Sequence, residues 1–281
     1  MCIFDFFIEI RSNNKENMHS NRFILFFILV SISSLFACKN PSKIIVAQNI
    51  AVKNNNISID SNSFYFLKPF SDSLNSVLNV KLAFTDSNLN TVRQGKINQR
   101  IQIEKNANLG RILSDYLLKE GSKYTFNAMG FPCHIALINH GGIRSSIPKG
   151  DVTNKSMYEI MPFENEMVIL ELSGRQMDSL LSYLSTKNIA AISGLELQVT
   201  GTTYTKATIA GLPFDSRRSY WIVANDFIQK GGDFFNMLKY PKQIIRTGIK
   251  LRTIFYDGFK SEFIENQKIN PRLTPRIIYN D

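Results

Sequence analysis

The stretch "HIALINHGGIRSSIPKGD", residues 134–151, runs from a strand pattern into a glycine turn. Residues 135–138 are apolar on both faces, which is typical of a strand covered on both sides of a sheet. Asn139, two glycines and Arg144 then follow at once. Glycine lets the backbone turn sharply and approach a ligand, and a guanidinium can hold an oxyanion. A plain strand-end turn with a surface arginine is the alternative, and composition leaves both open.

Helical and strand patterns alternate on both sides of this stretch. Upstream, "NLGRILSDYLLKEG" predicts a helix that is capped by Asn108 and closed by Gly121, and "PFSDSLNSVL" predicts one that begins at Pro69. Downstream, "SGRQMDSLLSYL" predicts a helix capped by Ser173, and "TGIKLRTIFYDGF" predicts the last helix. Strand patterns lie between them in "KLAFTD", "EMVILEL", "GLELQV", "KATIAG" and "SYWIVAN". The interleaving predicts an α/β or α+β fold with a mixed sheet.

The N-terminal part has the pattern of an export leader. Its apolar run, residues 23–37, is shorter than the roughly 20 residues of a membrane span and ends in "LFAC". That ending resembles the lipobox of bacterial lipoproteins, in which Cys38 is lipidated and begins the mature chain. We expect a signal peptide over residues 1–37, a lipidated cysteine and tether over 38–63, and a folded domain over 64–281. An uncleaved anchor is the alternative, and either places the protein at a membrane of the bacterial cell envelope.

Residues 1–17 are acidic and aromatic where a leader should begin with basic residues, so Met18 is the expected start. Beyond Cys38 the only cysteine is Cys133, which leaves no disulfide framework and no thiolate metal cluster. The formal net charge of +10 favours anionic partners. Because the basic residues form no long run, nucleic acid is not an expected partner.

The residue inventory argues against a self-contained hydrolase. The chain has three histidines, His19, His134 and His140, and no His-X-His or Asp-X-His pattern that would hold a metal pair. It has no Gly-X-Ser-X-Gly nucleophile elbow, and "NHGGIR" lacks the ending of a phosphate loop. We therefore predict no catalytic residue and no metal or other cofactor on this chain.

Two phenylalanines and an aspartate remain as binding candidates. Phe163 stands in "IMPFENE" beside a proline, and Phe227 and Asp233 stand in "ANDFIQKGGDFF" around a double glycine. Two loop aromatics can sandwich a flat base, at about 1–3 kcal/mol per base, and a carboxylate can accept hydrogen bonds from ribose hydroxyls. With 21 phenylalanines in the chain, a core position for either ring is the alternative.

Taken together, these motifs resemble the C-terminal domain of 5′-nucleotidases, the substrate-recognition half of the periplasmic and ecto-enzymes. The resemblance covers roughly residues 64–278 and depends on the order of five stretches: "NANLGRILSDYLL", "INHGGIRSSIPKGDVT", "MYEIMPFENEMVILELSGRQM", "ISGLELQV" and "YWIVANDFIQKGGDFFNML". It implies an α/β/β/α arrangement with a nucleobase stacked between Phe163 and Phe227. It further implies that Asp233 binds the ribose and that Asn139 and Arg144 bind the nucleoside and phosphate side. Gly142 is the glycine of the motif.

Two departures from the family pattern limit this resemblance. The family has an arginine just upstream of the Asn-X-Gly helix, where this chain reads "QIEKNANLG", so Lys105 is a candidate replacement. The family's metallophosphoesterase domain, with its two metal ions, has no counterpart here.

Three hypotheses therefore stay open. In the first, this protein is the recognition component of a 5′-nucleotidase that acts on a nucleoside monophosphate. A separately encoded metallophosphoesterase chain then carries the divalent metal pair. The second hypothesis is a non-catalytic nucleoside- or nucleotide-binding envelope lipoprotein, and the third is a nucleic-acid-binding or structural envelope protein.

Overall fold

The computed structural model describes residues 61–92, 100–187 and 190–280 of the chain. The predicted leader, the predicted lipidation site Cys38 and almost all of the predicted tether lie outside these ranges. Residues from Asn62 onward form one compact unit. Within the described residues, no helix combines the length and the apolar character needed to cross a bilayer.

Seven α-helices and eleven strands alternate along the described residues. The helices are α1 (Ser61–Leu78), α2 (Arg100–Asn106), α3 (Asn108–Met129), α4 (Asn154–Ile160), α5 (Gly174–Thr186), α6 (Asp226–Gln229) and α7 (Leu251–Asn266). The strands are β1 (Lys81–Thr85), β2 (Ile135–Asn139), β3 (Gly150–Thr153), β4 (Glu166–Ser173), β5 (Ala190–Ser193), β6 (Leu195–Thr200), β7 (Thr203–Ile209), β8 (Leu212–Pro213), β9 (Ser219–Asn225), β10 (Gln243–Lys250) and β11 (Ile277–Tyr279).

A five-stranded sheet in the order β10-β4-β9-β2-β5 forms the centre of the unit. Strands β2 and β9 are parallel, and the other neighbours in this sheet are antiparallel. A second sheet has the order β11-β6-β7-β8, and β1 pairs with β3 in a third. The predicted mixed-sheet α/β fold is therefore confirmed.

The opening strand is buried on both faces, as its apolar pattern predicts. On one face, Ala136 and Ile138 pack into a core with the apolar sides of α3 and α7. On the other face, Ile135 and Leu137 pack into a core that includes α5, β6 and β7. Because both faces of the central sheet are covered, only the edges and strand ends of this sheet remain open to a ligand.

The ends of helix α3 differ from the prediction. Ala107 occupies the N-cap position, and the side chain of Asn108 instead accepts a hydrogen bond from the Asn90 N–H. The helix continues through Gly121 to Met129, and Gly130 caps it with a left-handed backbone conformation, φ 81°. A Cβ at position 121 would lie 2.8 Å from the Val223 side chain, so Gly121 permits close packing of the helix on the sheet.

Helix α1 begins at Ser61, so the predicted start at Pro69 is wrong. Phe66 and Phe70 extend the helical stripe of Leu74 and Val77 upstream across the proline. The amphipathic pattern therefore continues where the proline alone suggested a start. All four of these side chains are exposed, at 57–72% of their accessible area.

The C-terminal region contains two strands that the sequence pattern did not predict. Residues 247–250, assigned by pattern to the last helix, are the end of β10, and α7 begins at Leu251. The polar tail contains β11, which pairs in parallel with β6. Both strands lie at the edge of their sheets, where apolar alternation is weak and the strand signal is correspondingly poor.

Two arginines anchor this tail in the folded unit. Arg276 donates to Asp115 at 2.6 Å, and both terminal nitrogens of Arg272 donate to Glu262 at 2.7 and 2.8 Å. Tyr116 also donates to Glu262, at 2.8 Å. Burial works to raise the pKa of Glu262, but the hydrogen bonds from Arg272, the Asn270 N–H and Tyr116 outweigh it and lower that pKa. The carboxylate is therefore held in its charged form.

Candidate functional site

The candidate site lies at one edge of the central sheet, where three strands bring their loops together. Because β2 and β9 are parallel, they end at the same edge, at Asn139 and Asn225. Strand β4 is antiparallel to β9, and Met167 pairs with Asn225, so β4 begins at this edge. The carboxyl ends of parallel strands are the usual place for ligands in open α/β sheets.

A pocket of about 570 Å³ opens at this edge. That volume lies within the range of small-molecule sites, roughly 300–1,000 Å³. The residues that line it come from the glycine turn, the entrance of β4 and the loop after β9: Asn139, Gly141, Gly142, Arg144, Phe163, Asn165, Phe227 and Asp233. The structure thus brings all six predicted binding residues to one cavity, and it adds Gly141 and Asn165. Their roles toward a ligand remain predictions.

The two phenylalanines of the pocket lie outside the hydrophobic core. Phe163 and Phe227 are 45% and 44% exposed, whereas Phe235, Phe255 and Phe259 are fully buried. The Arg144 guanidinium carbon lies 5.8 Å from the centre of the Phe163 ring, within the range of cation–π contact. Arg144 also donates to the backbone oxygen of Gly141 at 3.0 Å. The pocket therefore has two aromatic walls and a cation beside one of them.

A hydrogen bond joins the two loops that carry these rings. Asp226, the neighbour of Phe227, accepts a hydrogen bond from the Glu166 N–H at 3.1 Å. Burial works to raise the pKa of Asp226, but the hydrogen bonds from Lys230 and from the Glu166 N–H outweigh it and lower that pKa. The resulting carboxylate ties the loop of Phe227 to the entrance of β4, three residues beyond Phe163.

Gly232 supports the Phe227 ring. A Cβ at position 232 would lie 2.4 Å from Cε1 of Phe227 and within 2.7 Å of two further ring carbons. Real Cβ atoms essentially never come this close to a neighbour, so a larger residue at position 232 would have to displace the Phe227 ring. Gly232 therefore leaves room for the ring because it has no side chain.

The aspartate of the glycine loop is held in a left-handed conformation. Asp233 has φ 51° and ψ 32°, a region that non-glycine residues adopt only rarely. Tyr183 donates its hydroxyl to the Asp233 backbone oxygen at 2.7 Å, and Asn139 Nδ2 donates to Asp233 Oδ2 at 2.6 Å. Burial, and then the charge of Asp233, raise the pKa of Tyr183, so its hydroxyl keeps the proton that it donates.

Asn139 is enclosed by its neighbours. Its Oδ1 accepts a hydrogen bond from Asn225 Nδ2 at 2.9 Å. A Cβ at position 142 would lie 3.0 Å from the same oxygen, so Gly142 leaves room for this amide. Asn139 is 3% exposed and Asn225 is fully buried. The amide at the end of β2 is therefore fixed before any ligand arrives.

The remaining polar candidates lie away from the pocket lining. His140 is 1% exposed and packs beneath the glycine turn, close to Gly110. His134 accepts a hydrogen bond from the Trp221 N–H at 3.0 Å, a contact between β9 and the start of β2. Lys105 is exposed on α2 and is absent from the described lining. Within the described residues, no group of three or more His, Cys, Asp or Glu side chains is arranged to hold a metal ion.

Known proteins match most of this chain. It is 27% identical over 231 residues to the trifunctional nucleotide phosphoesterase YfkN of Bacillus subtilis, covering 75% of this chain and 14% of that protein. It is 25% identical to a 5′-nucleotidase of Vibrio parahaemolyticus, covering 73% of this chain and 35% of that protein. The chain therefore spans about a third or less of these relatives.

A solved structure agrees with the fold. The 5′-nucleotidase precursor of Thermus thermophilus superposes with a TM-score of 0.61 at 26% identity, over 79% of this chain and 44% of that one. The sequence model of the family described as "5′-nucleotidase, C-terminal domain" matches residues 84–240, more than half of the 281 residues. This match contains the glycine turn, both pocket phenylalanines and Asp233. The chain therefore belongs to the 5′-nucleotidase C-terminal domain family.

Proposed function

We propose that this protein is the nucleoside-recognition component of a 5′-nucleotidase. The observation that carries the proposal is one pocket that combines two half-exposed phenylalanines with an oriented amide and a carboxylate. A nucleobase is flat and apolar on its faces and fits between aromatic rings, whereas ribose offers hydroxyl donors. The pocket supplies a complementary group for each part.

Each pocket residue has a defined task in this proposal. Phe163 and Phe227 stack on the two faces of the base, at about 1–3 kcal/mol per stacked base. Asp233 accepts hydrogen bonds from the ribose hydroxyls, and Asn139 contacts the nucleoside. Arg144 holds the phosphate side, where a guanidinium matches the geometry of the anion. The net charge of +10 favours the approach of such an anionic substrate.

We place the hydrolytic step on a second, metallophosphoesterase chain. A divalent metal pair on that chain would supply Lewis acidity and an activated water for hydrolysis of the phosphate ester. The residues described here then bind and orient the nucleoside part of the substrate. The similarity of this chain to a nucleotide phosphoesterase and to a 5′-nucleotidase supports its assignment to such a reaction.

We also infer that the protein is exported and anchored by a lipid on Cys38. The proposal is supported by the apolar run and the "LFAC" ending of the leader pattern, and Met18 is the proposed start. Metabolic labelling with a radioactive fatty acid should label the wild-type protein and leave Cys38→Ala unlabelled. Equal labelling of both proteins would refute the anchor, and a mature N-terminus other than Cys38 would refute the cleavage site.

The test of the main proposal is calorimetric titration with adenosine 5′-monophosphate, followed by a phosphate-release assay. Phe163→Ala and Phe227→Ala should weaken binding, whereas Phe126→Ala should not, because Phe126 is 62% exposed outside the pocket. Phosphate release should require mixing with the metallophosphoesterase chain. If the protein binds but no such mixture hydrolyses, the result favours a non-catalytic nucleotide-binding lipoprotein, and absence of binding would refute both.

A further inference from the structure

Asn225 is fully buried behind the pocket and is absent from the described residues that line it. Its Nδ2 donates to Asn139 Oδ1 at 2.9 Å, and its Oδ1 accepts a hydrogen bond from the Ile228 N–H at 3.2 Å. Asn139 Nδ2 in turn donates to Asp233 Oδ2 at 2.6 Å. These hydrogen bonds, here called the amide relay, connect the first turn of α6 to the aspartate of the glycine loop.

The groups at the two ends of the amide relay determine which atom donates and which accepts in each of its hydrogen bonds. The Ile228 N–H can only donate a hydrogen bond, and an ionised Asp233 can only accept one. Each amide between them must therefore accept on the side of Ile228 and donate on the side of Asp233. Turning either amide over would place two acceptors or two donors against each other, so both side chains have a single favourable orientation.

The same contacts determine how Asp233 stands in the pocket. Its backbone oxygen is held by the Tyr183 hydroxyl, and its Oδ2 is occupied by Asn139. Among the described residues, no side chain or N–H donates to its other oxygen, Oδ1. The aspartate lines the pocket with one oxygen restrained and one available as an acceptor.

We propose that Asn225 is a positioning residue for ribose recognition. It acts through Asn139, whose amide it orients, and so sets the carboxylate of Asp233 for the ribose hydroxyls of a nucleoside. The inference rests on the proposed function, because it names the buried group that gives the pocket its preference for a ribose that carries hydroxyls.

Asn225→Asp changes the amide relay with little change of shape. One carboxylate oxygen still accepts from the Ile228 N–H, but the donor toward Asn139 is replaced by an acceptor. The Asn139 amide is then expected to turn over and to present its oxygen to Asp233. Asn225→Ser keeps a hydroxyl that can cap α6 but cannot reach Asn139, and it serves as a second variant should the first fail to fold.

The readout is the ratio of the affinities for adenosine and for 2′,3′-dideoxyadenosine, measured by calorimetry on the full chain. In both Asn225 variants this ratio should fall by about tenfold, because a charge-assisted contact to the ribose is lost. The affinity for the dideoxynucleoside should stay within about twofold, because the aromatic rings remain. An equal loss of affinity for both ligands would show a merely structural role and would overturn the inference.

Asn108→Asp is the matched control. Asn108 is also a buried amide, 7% exposed, and its Nδ2 donates to the Asn88 backbone oxygen at 3.1 Å. The substitution removes a comparable buried donor away from the pocket lining. It should lower stability and leave the affinity ratio unchanged, and a fall in its ratio equal to that of the Asn225 variants would also overturn the inference.

A measurement without ligand separates this inference from the proposed function. The side-chain ¹⁵N–¹H₂ signals of Asn139 should shift in Asn225→Asp, because the amide changes hydrogen-bond partners. If wild-type protein binds neither nucleoside, the proposed function fails, and the positioning role fails with it even where the signals shift. If it binds both and the variant leaves the Asn139 signals and the affinity ratio as in wild type, only the role of Asn225 is overturned.

Discussion

Gly232→Ala should weaken nucleoside binding through the position of one ring. The added Cβ would lie 2.4–2.7 Å from three atoms of the Phe227 ring, so the ring has to leave its place beside the pocket. The Gly232 backbone is outside the left-handed region, and alanine itself adds no backbone strain there. Phe227 is 44% exposed, so more than half of the residue is buried and its displacement also uncovers apolar surface.

The magnitude follows from the lost stacking contact. One base–aromatic stack contributes about 1–3 kcal/mol, which corresponds to a roughly 5-fold to 150-fold rise in Kd. The free energy of unfolding should fall by about 1–3 kcal/mol, as for other substitutions that overpack a contact. Calorimetric titration with adenosine measures the first quantity, and urea denaturation measures the second.

Gly211→Ala is the control for this experiment. Gly211 has φ +80° in the turn between β7 and β8, and a Cβ there would meet no atom within 4 Å. This substitution should cost about 1–2 kcal/mol of stability through backbone strain and leave binding unchanged. Wild-type affinity in Gly232→Ala, or weakened binding in Gly211→Ala, would refute the reasoning.

Three further predictions concern groups away from the pocket. Glu262 has a lowered folded-state pKa, so its stabilising effect is present above about pH 4.5 and is lost as the pH falls through the folded pKa. Glu262→Gln should therefore cost about 3–5 kcal/mol at pH 7 and less in acid, as measured by urea denaturation, and a pH-independent difference would contradict this. Burial raises the pKa of the Cys133 thiol to about 11, so the thiol should react poorly with iodoacetamide at pH 8. Peptide mapping of the treated native protein should find Cys133 unmodified, and rapid modification of Cys133 would contradict this prediction. A Cβ at Gly258 would lie 2.4 Å from the Tyr116 ring, so Gly258→Ala should cost about 1–3 kcal/mol of stability, and an unchanged denaturation midpoint would contradict this.

The pocket residues could be named from the sequence because they lie on short local motifs, but their assignment to one pocket came from the resemblance to the 5′-nucleotidase C-terminal domain. Phe163 follows a proline near the entrance of β4, Phe227 lies in the one-turn helix α6, and Asn139 ends a strand that is otherwise apolar on both faces. Such local signals can be recognised without knowledge of tertiary contacts. Gly232 and Asn225 could not be assigned in this way, because their importance depends on a ring and an amide that come from elsewhere in the fold.

The predicted boundaries of helices and strands were wrong where tertiary packing overrides the local conformational preference of the residues. Gly121 has the residue type of a helix end, yet α3 continues through it because the missing side chain lets the helix approach Val223. Strand β11 was not recognised in the polar tail because its pairing with β6 and its anchoring by the hydrogen bond from Arg276 to Asp115 are both long-range. In each case, the deciding contact lies far away along the chain.

A crystal structure of the protein with adenosine bound tests the central claim most directly. We predict that the base lies between the rings of Phe163 and Phe227, with the ribose hydroxyls within hydrogen-bonding distance of Asp233. Adenosine bound outside the pocket formed by the glycine turn and the loop after β9, or a base that contacts neither ring, would contradict this claim.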